Sequence, residues 1–300
     1  MRNKFARQGS YIHGCPTGSD GGWLSMVMDD VAVKGIKHSA FMKMERSVLT
    51  PRFMKMFPTV FAGQLADGTV VFVGGNGQAI SSSPDGQTTE ERVASGADSP
   101  ETIGDLRSAA IVGSRLIAVG MQRQVYVRAE DGTWSASRAG LPAFGEGETS
   151  GFEAVAAVSA AEIYAAGWDG ELWRFDGASW NPIASPTKSI ITALCVDDAG
   201  LVHGCGRNGL LLSGRADAWR VVSDPRCPDD LWSMAAHGAR VFAASRRSLY
   251  CIEDGALSVV ELSSTGAGSF GVLSANGRHL WSIGDKDVLS YDGASWSAIA

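Results

Sequence analysis

Residues 151–185 read GFEAVAAVSAAEIYAAGWDGELWRFDGASWNPIAS, and this stretch decides the fold. It divides into four short β-rich segments, at residues 153–158, 162–166, 171–175 and 179–183. Asp-Gly pairs separate the later segments, because Gly, Asn and Asp accept the positive φ angles of tight hairpin turns at low cost. The stretch therefore predicts a sheet of four consecutive antiparallel strands, here named A to D, with A innermost.

The same pattern recurs along the chain at a nearly constant interval. A glycine, replaced once by serine, stands at the end of strand B, and successive copies are 39, 46, 47, 39, 39 and 39 residues apart. These anchors are Gly35, Gly74, Gly120, Gly167, Gly206, Ser245 and Gly284. A fixed period of this size is typical of a repeat architecture. We predict an all-β chain with a single seven-bladed β-propeller of four-stranded blades over residues 21–300, and an N-terminal extension over residues 1–20.

Two repeated residue types have structural roles in this prediction. Asp-Gly pairs after strand C predict the turn to strand D, and a Trp at the start of strand D is expected to pack between adjacent blades. The pairs begin at Asp85, Asp131, Asp176, Asp254 and Asp292, and the tryptophans are Trp134, Trp180, Trp219 and Trp296. The anchors and these residues are therefore expected to be structural rather than functional.

The two ends of the repeat array differ from its middle. In the first blade only the 39-residue interval supports the expected strands, at residues 23–28, 31–34 and 40–44. The last blade ends in a strand D of its own, at residues 296–299. Ring closure is therefore not expected to need a strand exchanged from the N-terminal end.

Composition and charge limit the classes of partner. The net charge is −6, whereas nucleic-acid binding calls for a basic face. No run approaches the ~20 apolar residues of a membrane span, and the start of the chain lacks the apolar region of a signal peptide. The odd number of cysteines predicts reduced, buried thiols, at Cys15, Cys195, Cys205, Cys227 and Cys251. We expect a cytoplasmic protein with no nucleic-acid or membrane partner.

Three segments look like degenerate Asp-box hairpins: SPDGQTT at residues 83–89, FDGASW at 175–180 and YDGASW at 291–296. On these motifs the chain resembles the bacterial BNR-like and photosystem-assembly-factor-like β-propellers, within the WD40, YVTN and BNR-like superfamily, from about residue 21 onwards. The resemblance implies architecture only. Sialidases share such boxes but also need an arginine triad, an acidic acid/base and a tyrosine nucleophile. Here Tyr126, Tyr164, Tyr250 and Tyr291 fall inside expected repeat strands, and Tyr11 precedes the expected propeller.

Residues with catalytic potential are dispersed. The histidines His13, His38, His203, His237 and His279 lack the short spacings of metal ligands. No Gly-rich phosphate loop or nucleophile elbow is present. No catalytic residue, metal ligand or cofactor is assigned, and the sequence favours a binding protein over an enzyme. The sequence leaves open whether a catalytic site assembles from residues of distant blades.

Departures from the repeat indicate where specificity lies. Both enlarged intervals fall in connections from strand D to the next strand A, at residues 95–106 and 139–151, and these share one face with the B–C turns. Acidic loops lie on one side of that face and arginines on the other, and Trp168 at a turn tip is a typical interface anchor. The candidate partner-binding residues are Trp168, Asp169, Arg207, Asn208, Arg246, Arg247, Lys286, Asp98, Glu101, Asp105, Glu146 and Glu148.

Two functions follow from this pattern. The first is a non-enzymatic protein-binding module, as would suit an immunity protein that neutralises a bacterial toxic effector, with the acidic loops steering a basic partner surface. The alternative is a carbohydrate-binding or carbohydrate-active propeller. The sequence indicates neither the identity of the partner nor the oligomeric state.

Overall fold

The computed structural model describes residues 5–18, 21–143, 150–223, 227–253, 256–277 and 279–300. Within these residues the chain forms seven four-stranded antiparallel sheets, each built from strands that are consecutive in sequence. The predicted seven-bladed β-propeller is therefore confirmed. None of its helices has the length and apolar composition needed to cross a bilayer, as far as the described residues extend.

The strands of the first four blades are as follows. Blade 1 contains β1 Gly9–Pro16, β2 Gly22–Met28, β3 Ser39–Glu45 and β4 Val48–Lys55. Blade 2 contains β5 Thr59–Gln64, β6 Val70–Gly74, β7 Gln78–Ser82 and β8 Thr88–Arg92. Blade 3 contains β9 Leu106–Val112, β10 Arg115–Gly120, β11 Gln124–Arg128 and β12 Trp134–Ala136. Blade 4 contains β13 Phe152–Ser159, β14 Glu162–Gly167, β15 Leu172–Phe175 and β16 Trp180–Pro182.

The remaining blades repeat this order. Blade 5 contains β17 Ile191–Val196, β18 Val202–Gly206, β19 Leu211–Arg215 and β20 Ala218–Val221. Blade 6 contains β21 Ser233–His237, β22 Arg240–Ala244, β23 Leu249–Glu253 and β24 Ala256–Val259. Blade 7 contains β25 Val272–Asn276, β26 His279–Ile283, β27 Val288–Tyr291 and β28 Trp296–Ala298. Two four-residue helices, α1 Asp29–Ala32 and α2 Pro100–Ile103, and four 3-10 turns, Gly96–Asp98, Trp168–Gly170, Arg207–Gly209 and Ser263–Thr265, lie in the connections.

The B–C turns and the D–A connections lie on one face of the ring, as the sequence predicts. In blade 2 the turn backbone meets the next connection directly, because the Leu106 amide donates to the Gly75 carbonyl at 2.7 Å. In blade 5 the Gly209 amide donates to the Asp229 carbonyl at the same distance. We name this loop-rich side the upper face, and the side with the A–B and C–D turns the lower face.

The first blade differs from the expected strand positions. Its innermost strand is β1, which lies inside the segment expected to be an N-terminal extension, and Tyr11 belongs to it. The expected strand at residues 31–34 is wrong, because α1 and a turn occupy this region. Gly35 lies in that long B–C connection at a φ of 72°, rather than at the end of strand B. A glycine required by a loop therefore imitates a repeat anchor in the sequence.

The tryptophans of strand D pack between blades, as expected. Trp180 is fully buried against Phe152 and Phe175, and its indole N–H donates to the Ser137 carbonyl of blade 3 at 3.1 Å. Trp219 is half-buried and stacks edge-on against Tyr164 of the preceding blade at 5.5 Å. Each indole thus covers the outer part of the neighbouring sheet, where the gap between blades is widest.

The ring closes by contact between blade 1 and blade 7 without any exchange of strands. The Tyr11 amide donates to the Asp285 carbonyl at 2.9 Å, and the Lys286 ammonium donates to the Gly9 carbonyl at 2.6 Å. Trp281 of blade 7 is fully buried in one apolar cluster with Leu24 of blade 1. Packing of two complete sheets therefore replaces the shared strand, in agreement with the prediction.

All five cysteines are among the described residues and none forms a disulfide, as the sequence predicts. Cys15, Cys205, Cys227 and Cys251 are buried, and Cys195 is half-buried. Burial raises the pKa of the Cys15 and Cys205 thiols to about 12. These thiols therefore stay protonated and unreactive at neutral pH.

Replacing Trp180 with alanine tests the role of the interblade tryptophans. We expect Trp180→Ala to lower the free energy of unfolding by about 3–5 kcal/mol, because the change leaves a cavity between two blades. The half-buried Trp219→Ala is the matched control and is expected to cost clearly less. Urea denaturation measures both, and equal costs for the two variants would contradict this account.

Candidate functional site

The B–C turns of blades 4 and 5 are built to present side chains on the upper face. Asp169 and Asn208 adopt left-handed conformations, with φ angles of 54° and 55°, which Asp and Asn tolerate better than most residues. The following glycines, Gly170 and Gly209, lie so close to the next D–A connection that a Cβ would collide with its backbone. Turn and connection therefore form one rigid unit, with Asp169, Arg207 and Asn208 exposed on it.

Trp168 is half-buried rather than fully exposed at its turn tip. Its indole N–H donates to Glu153 Oε1 at 2.6 Å, and Arg107 Nε lies 3.5 Å from the same oxygen. Glu153 and Arg107 belong to strands A of blades 4 and 3, so this group lies at the upper mouth of the central channel. Trp168 therefore joins the turn to the channel wall and presents only part of its ring to a partner.

The acidic connection between blades 2 and 3 is ordered by its contacts with both blades. The Tyr126 hydroxyl donates to the Asp98 carbonyl and Gln124 Nε2 donates to the Gly104 carbonyl, both at 2.5 Å. Asp98 and Glu101 are exposed on this framework, and Asp105 is half-buried. Glu101 forms an exposed ion pair of 3.2 Å with Arg92.

The other two predicted acidic residues, Glu146 and Glu148, lie outside the described residues. The acidic side of the upper face that the structure describes therefore consists of Asp98, Glu101 and Asp105. It spans the connection between blades 2 and 3.

The arginines predicted across the ring are exposed. Arg246 and Arg247 occupy the B–C turn of blade 6, and Arg207 occupies that of blade 5. Lys286 is half-buried, and its ammonium contacts the Gly9 carbonyl and lies 3.7 Å from Asp29. The structure therefore brings Arg207, Arg246 and Arg247 together on one side, whereas Lys286 takes part in closure of the ring.

Trp232 belongs to the upper face, and the sequence reasoning missed it. It lies in the connection before β21, and 41% of its surface is exposed. A cleft of about 340 Å³ lies beside it, lined by Asp229, Asp230, Trp232, Ser245, Arg246 and Arg247. No other blade repeats a tryptophan at this point, so a search for departures from the repeat could have found it.

A second group of exposed apolar residues lies on blade 1. Val33 in the long B–C connection is 83% exposed, and Met56 after strand D is 59% exposed. Ile36 and Met54 are also exposed nearby, since Ser39 pairs with Lys55 and Ala40 with Met54. The repeat pattern does not indicate this group, because it predicts a strand where the connection lies.

The central channel is a cavity of about 500 Å³ lined by strands A. Towards its lower end Asn276 Nδ2 donates to Gln64 Oε1 at 2.7 Å and to the Pro16 carbonyl at 3.0 Å. His13 also lines the channel, and burial lowers its pKa to about 4, so it is neutral at neutral pH. Within the described part of the chain, no three His, Cys, Asp or Glu side chains come together as a metal site would require.

The tyrosine hydroxyls have structural partners. Tyr164 donates to Glu162 at 2.7 Å, Tyr250 to Asp229 at 3.0 Å and Tyr291 to the Gly293 carbonyl at 2.9 Å. Burial raises the pKa of Tyr126, Tyr164 and Tyr250 to about 12. These phenols are therefore held as hydrogen-bond donors rather than activated as nucleophiles.

Comparison with solved structures shows the class of fold. Virginiamycin B lyase from Staphylococcus aureus, crystallised as a catalytically inactive variant with quinupristin, matches with a TM-score of 0.77 and 9% identity over 97% of this chain and 96% of that chain. YCF48 from Cyanidioschyzon merolae matches with a TM-score of 0.68 and 15% identity over 94% and 95%. A YCF48 structure bound to D1 peptide matches with a TM-score of 0.67 and 13% identity over 96% and 94%. These likenesses show the fold alone, and a β-propeller is the fold that the resemblance implied.

Comparison of sequences shows the family. No protein-family model matches the chain. Immune protein Tsi7 of Pseudomonas aeruginosa (strain PAO1) is 37% identical over 230 residues, which span 76% of this chain and 75% of that protein. The chain belongs to the family of immune protein Tsi7.

His13, half-buried in the wall of the channel, predicts a pH dependence of stability. Its pKa is about 4 when folded and 6.5 when unfolded, so between these values the unfolded chain binds more protons. The free energy of unfolding should therefore decrease as pH falls from 6.5 towards 4, by up to about 3 kcal/mol from this residue. His13→Gln should remove that part of the slope. Urea denaturation at several pH values measures it, and parallel curves for the two proteins would refute the assignment.

Proposed function

We propose that this protein is an immunity protein that binds a toxic effector protein over its upper face and neutralises it. Membership of the Tsi7 family is the observation that carries this proposal, since the identity of 37% extends over three quarters of both chains. Non-enzymatic neutralisation needs only a surface complementary to the toxic protein. The propeller supplies such a surface on a rigid framework.

The structure favours the upper face for this role. Its turns and connections are fixed to each other by backbone hydrogen bonds, such as that from Gly209 to Asp229 at 2.7 Å. Little conformational entropy is therefore lost when a partner binds, and preorganisation of this kind favours affinity. The upper face also carries Trp168, Trp232 and exposed arginines, which are the residue types that dominate binding energy in protein interfaces.

The acidic side of the upper face indicates the sign of the charge on the partner surface that meets it. Asp98 and Glu101 are exposed on a loop whose backbone is held in place, so their charges are presented in a fixed position. Opposite charges on two surfaces accelerate association and fix their relative orientation. We therefore propose that a basic surface of the toxic protein faces this loop. The net charge of −6 agrees with such a partner.

We propose that this protein acts in the cytoplasm of a bacterium. The relative is a bacterial protein, and cysteines that form no disulfide suit a reducing compartment. We propose that the chain meets the toxic protein there. The likeness to virginiamycin B lyase is one of fold alone, at 9% identity, and supports no second function.

Neutralisation can be tested in bacterial cells. Genes beside the coding sequence are expressed one at a time to find a toxic product, and this chain is then co-expressed with it. We expect growth to be restored and the two purified proteins to form a complex. Failure of every neighbouring product to be neutralised and bound would overturn the proposed function.

The acidic loop can be tested by reversal of its charges. We expect the double variant Asp98→Lys, Glu101→Lys to slow association with the toxic protein by about tenfold at low salt, because steering of a basic surface is lost. Asp198→Lys, Asp217→Lys makes the same change of net charge on exposed lower-face turns and serves as the control. Stopped-flow or biosensor kinetics measure both. Equal slowing by the two double variants would argue against steering by this loop.

A further inference from the structure

The B–C turn of blade 6 carries two adjacent arginines on a fixed backbone. The Ser245 hydroxyl oxygen accepts the Arg247 amide at 3.2 Å and the Ser248 amide at 2.9 Å. The Arg246 carbonyl accepts the Phe270 amide of the next connection at 3.1 Å. The position of both arginines at the edge of the cleft is therefore set by contacts that do not use their side chains.

The carboxylates beside these arginines already have partners. Asp229 Oδ2 accepts hydrogen bonds from the Ser245 hydroxyl at 2.8 Å and from the Tyr250 hydroxyl at 3.0 Å. Asp230 Oδ1 accepts the Asn208 amide at 2.8 Å. Both acids thus hold the two turns and the connection in place.

The two guanidinium groups have no such partner among the described residues. Neither Arg246 nor Arg247 takes part in an ion pair with another described residue. Among the arginines that do are Arg92, Arg107, Arg123, Arg128, Arg215 and Arg240. Arg123 shows the contrast, because its Nε lies 2.6 Å from Glu171 Oε2 on the same face. Arg246 and Arg247 are exposed and available for an external anion.

Trp232 adds an apolar wall to this charged edge. It lines the same cleft of about 340 Å³ and is 41% exposed. An exposed indole beside two guanidinium groups can pack against an apolar side chain while the arginines bind neighbouring carboxylates in a forked geometry. We name Trp232, Arg246 and Arg247 the arginine–tryptophan cleft.

We propose that the arginine–tryptophan cleft binds an acidic segment of the toxic protein, with carboxylates on the arginines and an adjoining apolar side chain on Trp232. This inference rests on the proposed function, because the same partner is involved. A protein segment fits better than a nucleic acid, because two arginines beside one indole match a few carboxylates and an apolar side chain, whereas a row of phosphates needs an extended basic face and the net charge is −6. The partner is thus basic where it faces Asp98 and Glu101, and acidic where it faces the cleft.

The experiment uses the toxic protein identified by neutralisation, titrated into the full chain by calorimetry. We expect Arg246→Glu, Arg247→Glu to weaken binding by about a hundredfold or more, mainly through faster dissociation, because a carboxylate pair now faces carboxylates. The control is Arg46→Glu, Arg115→Glu, which makes the same change of charge at two exposed lower-face positions, in the C–D turn of blade 1 and at the start of β10, and should change affinity less than about threefold. Trp232→Ala should weaken binding about tenfold or more, and Trp232→Phe should retain most of it.

A charge-reversal screen identifies the acidic segment. Surface Asp and Glu residues of the toxic protein are replaced by Lys one at a time, and we expect at least one change to restore binding to the Arg246→Glu, Arg247→Glu variant. Thermal unfolding of each variant confirms that it is folded. Full affinity of the doubly substituted variant would overturn the inference while leaving the proposed function intact. A toxic protein that does not bind the unaltered chain would overturn the proposed function instead.

A nucleic-acid ligand is tested by the same variants. A single-stranded oligonucleotide is titrated into the unaltered chain and into Arg246→Glu, Arg247→Glu. We expect no saturable binding to either protein. Saturable binding that the double substitution abolishes would show that the cleft takes phosphates, and would overturn the assignment to a protein segment.

Discussion

The whole structure depends on one constraint: each sheet is apolar on both faces, and only the two neighbouring sheets can cover them. Trp180 is buried between blades 3 and 4, and Trp281 is buried between blades 7 and 1. A ring of seven such sheets leaves no apolar face open once the first and last blades meet. Here they meet as complete sheets, so apolar packing and a few hydrogen bonds, such as that from Tyr11 to Asp285, hold the ring closed. The connections on the upper face add a few buried residues to this packing, such as Leu231 and Phe270, and their exposed residues are free to vary.

Most of the fold was predictable because its turns follow simple backbone chemistry. Asp-Gly pairs and strand B glycines located blades 2 to 7, since positive φ and close backbone approach leave few alternatives to glycine there. The prediction of blade 1 was wrong for a physical reason. Its B–C connection contains α1 and a loop glycine, Gly35, which resembles a repeat anchor in sequence. The true innermost strand, β1, lies in a segment that has no anchor or Asp-Gly pair.

The candidate site was predictable in outline but not in detail. Exposed turn residues such as Arg246 follow from the repeat, because turn geometry places them on one face whatever their identity. The half-burial of Trp168 could not be foreseen, since it depends on the hydrogen bond to Glu153, on strand A of the same blade at the channel mouth. Trp232 was missed because it lies in an irregular connection, where no repeat position predicts exposure. Side-chain contacts between distant segments are what a repeat pattern leaves undetermined.

The upper face therefore combines a fixed framework with two sides of opposite charge. Asp98 and Glu101 lie on one side, the arginine–tryptophan cleft lies on the other, and the channel mouth with Trp168 lies between them. Such a face recognises a partner by the orientation of its charges as well as by its shape. In a member of the family of immune protein Tsi7, we propose that this arrangement is a surface that covers a toxic protein.

Hydrogen–deuterium exchange of the chain, alone and in complex with the toxic protein, tests this account most directly. We predict slower exchange on binding at the upper face, in residues 96–104, 168–170, 207–209, 229–232 and 245–248. Turns of the lower face, such as residues 197–200 and 215–218, should exchange at an unchanged rate. Protection confined to the lower-face turns or to the outermost strands would contradict the central claim that the upper face is the binding surface.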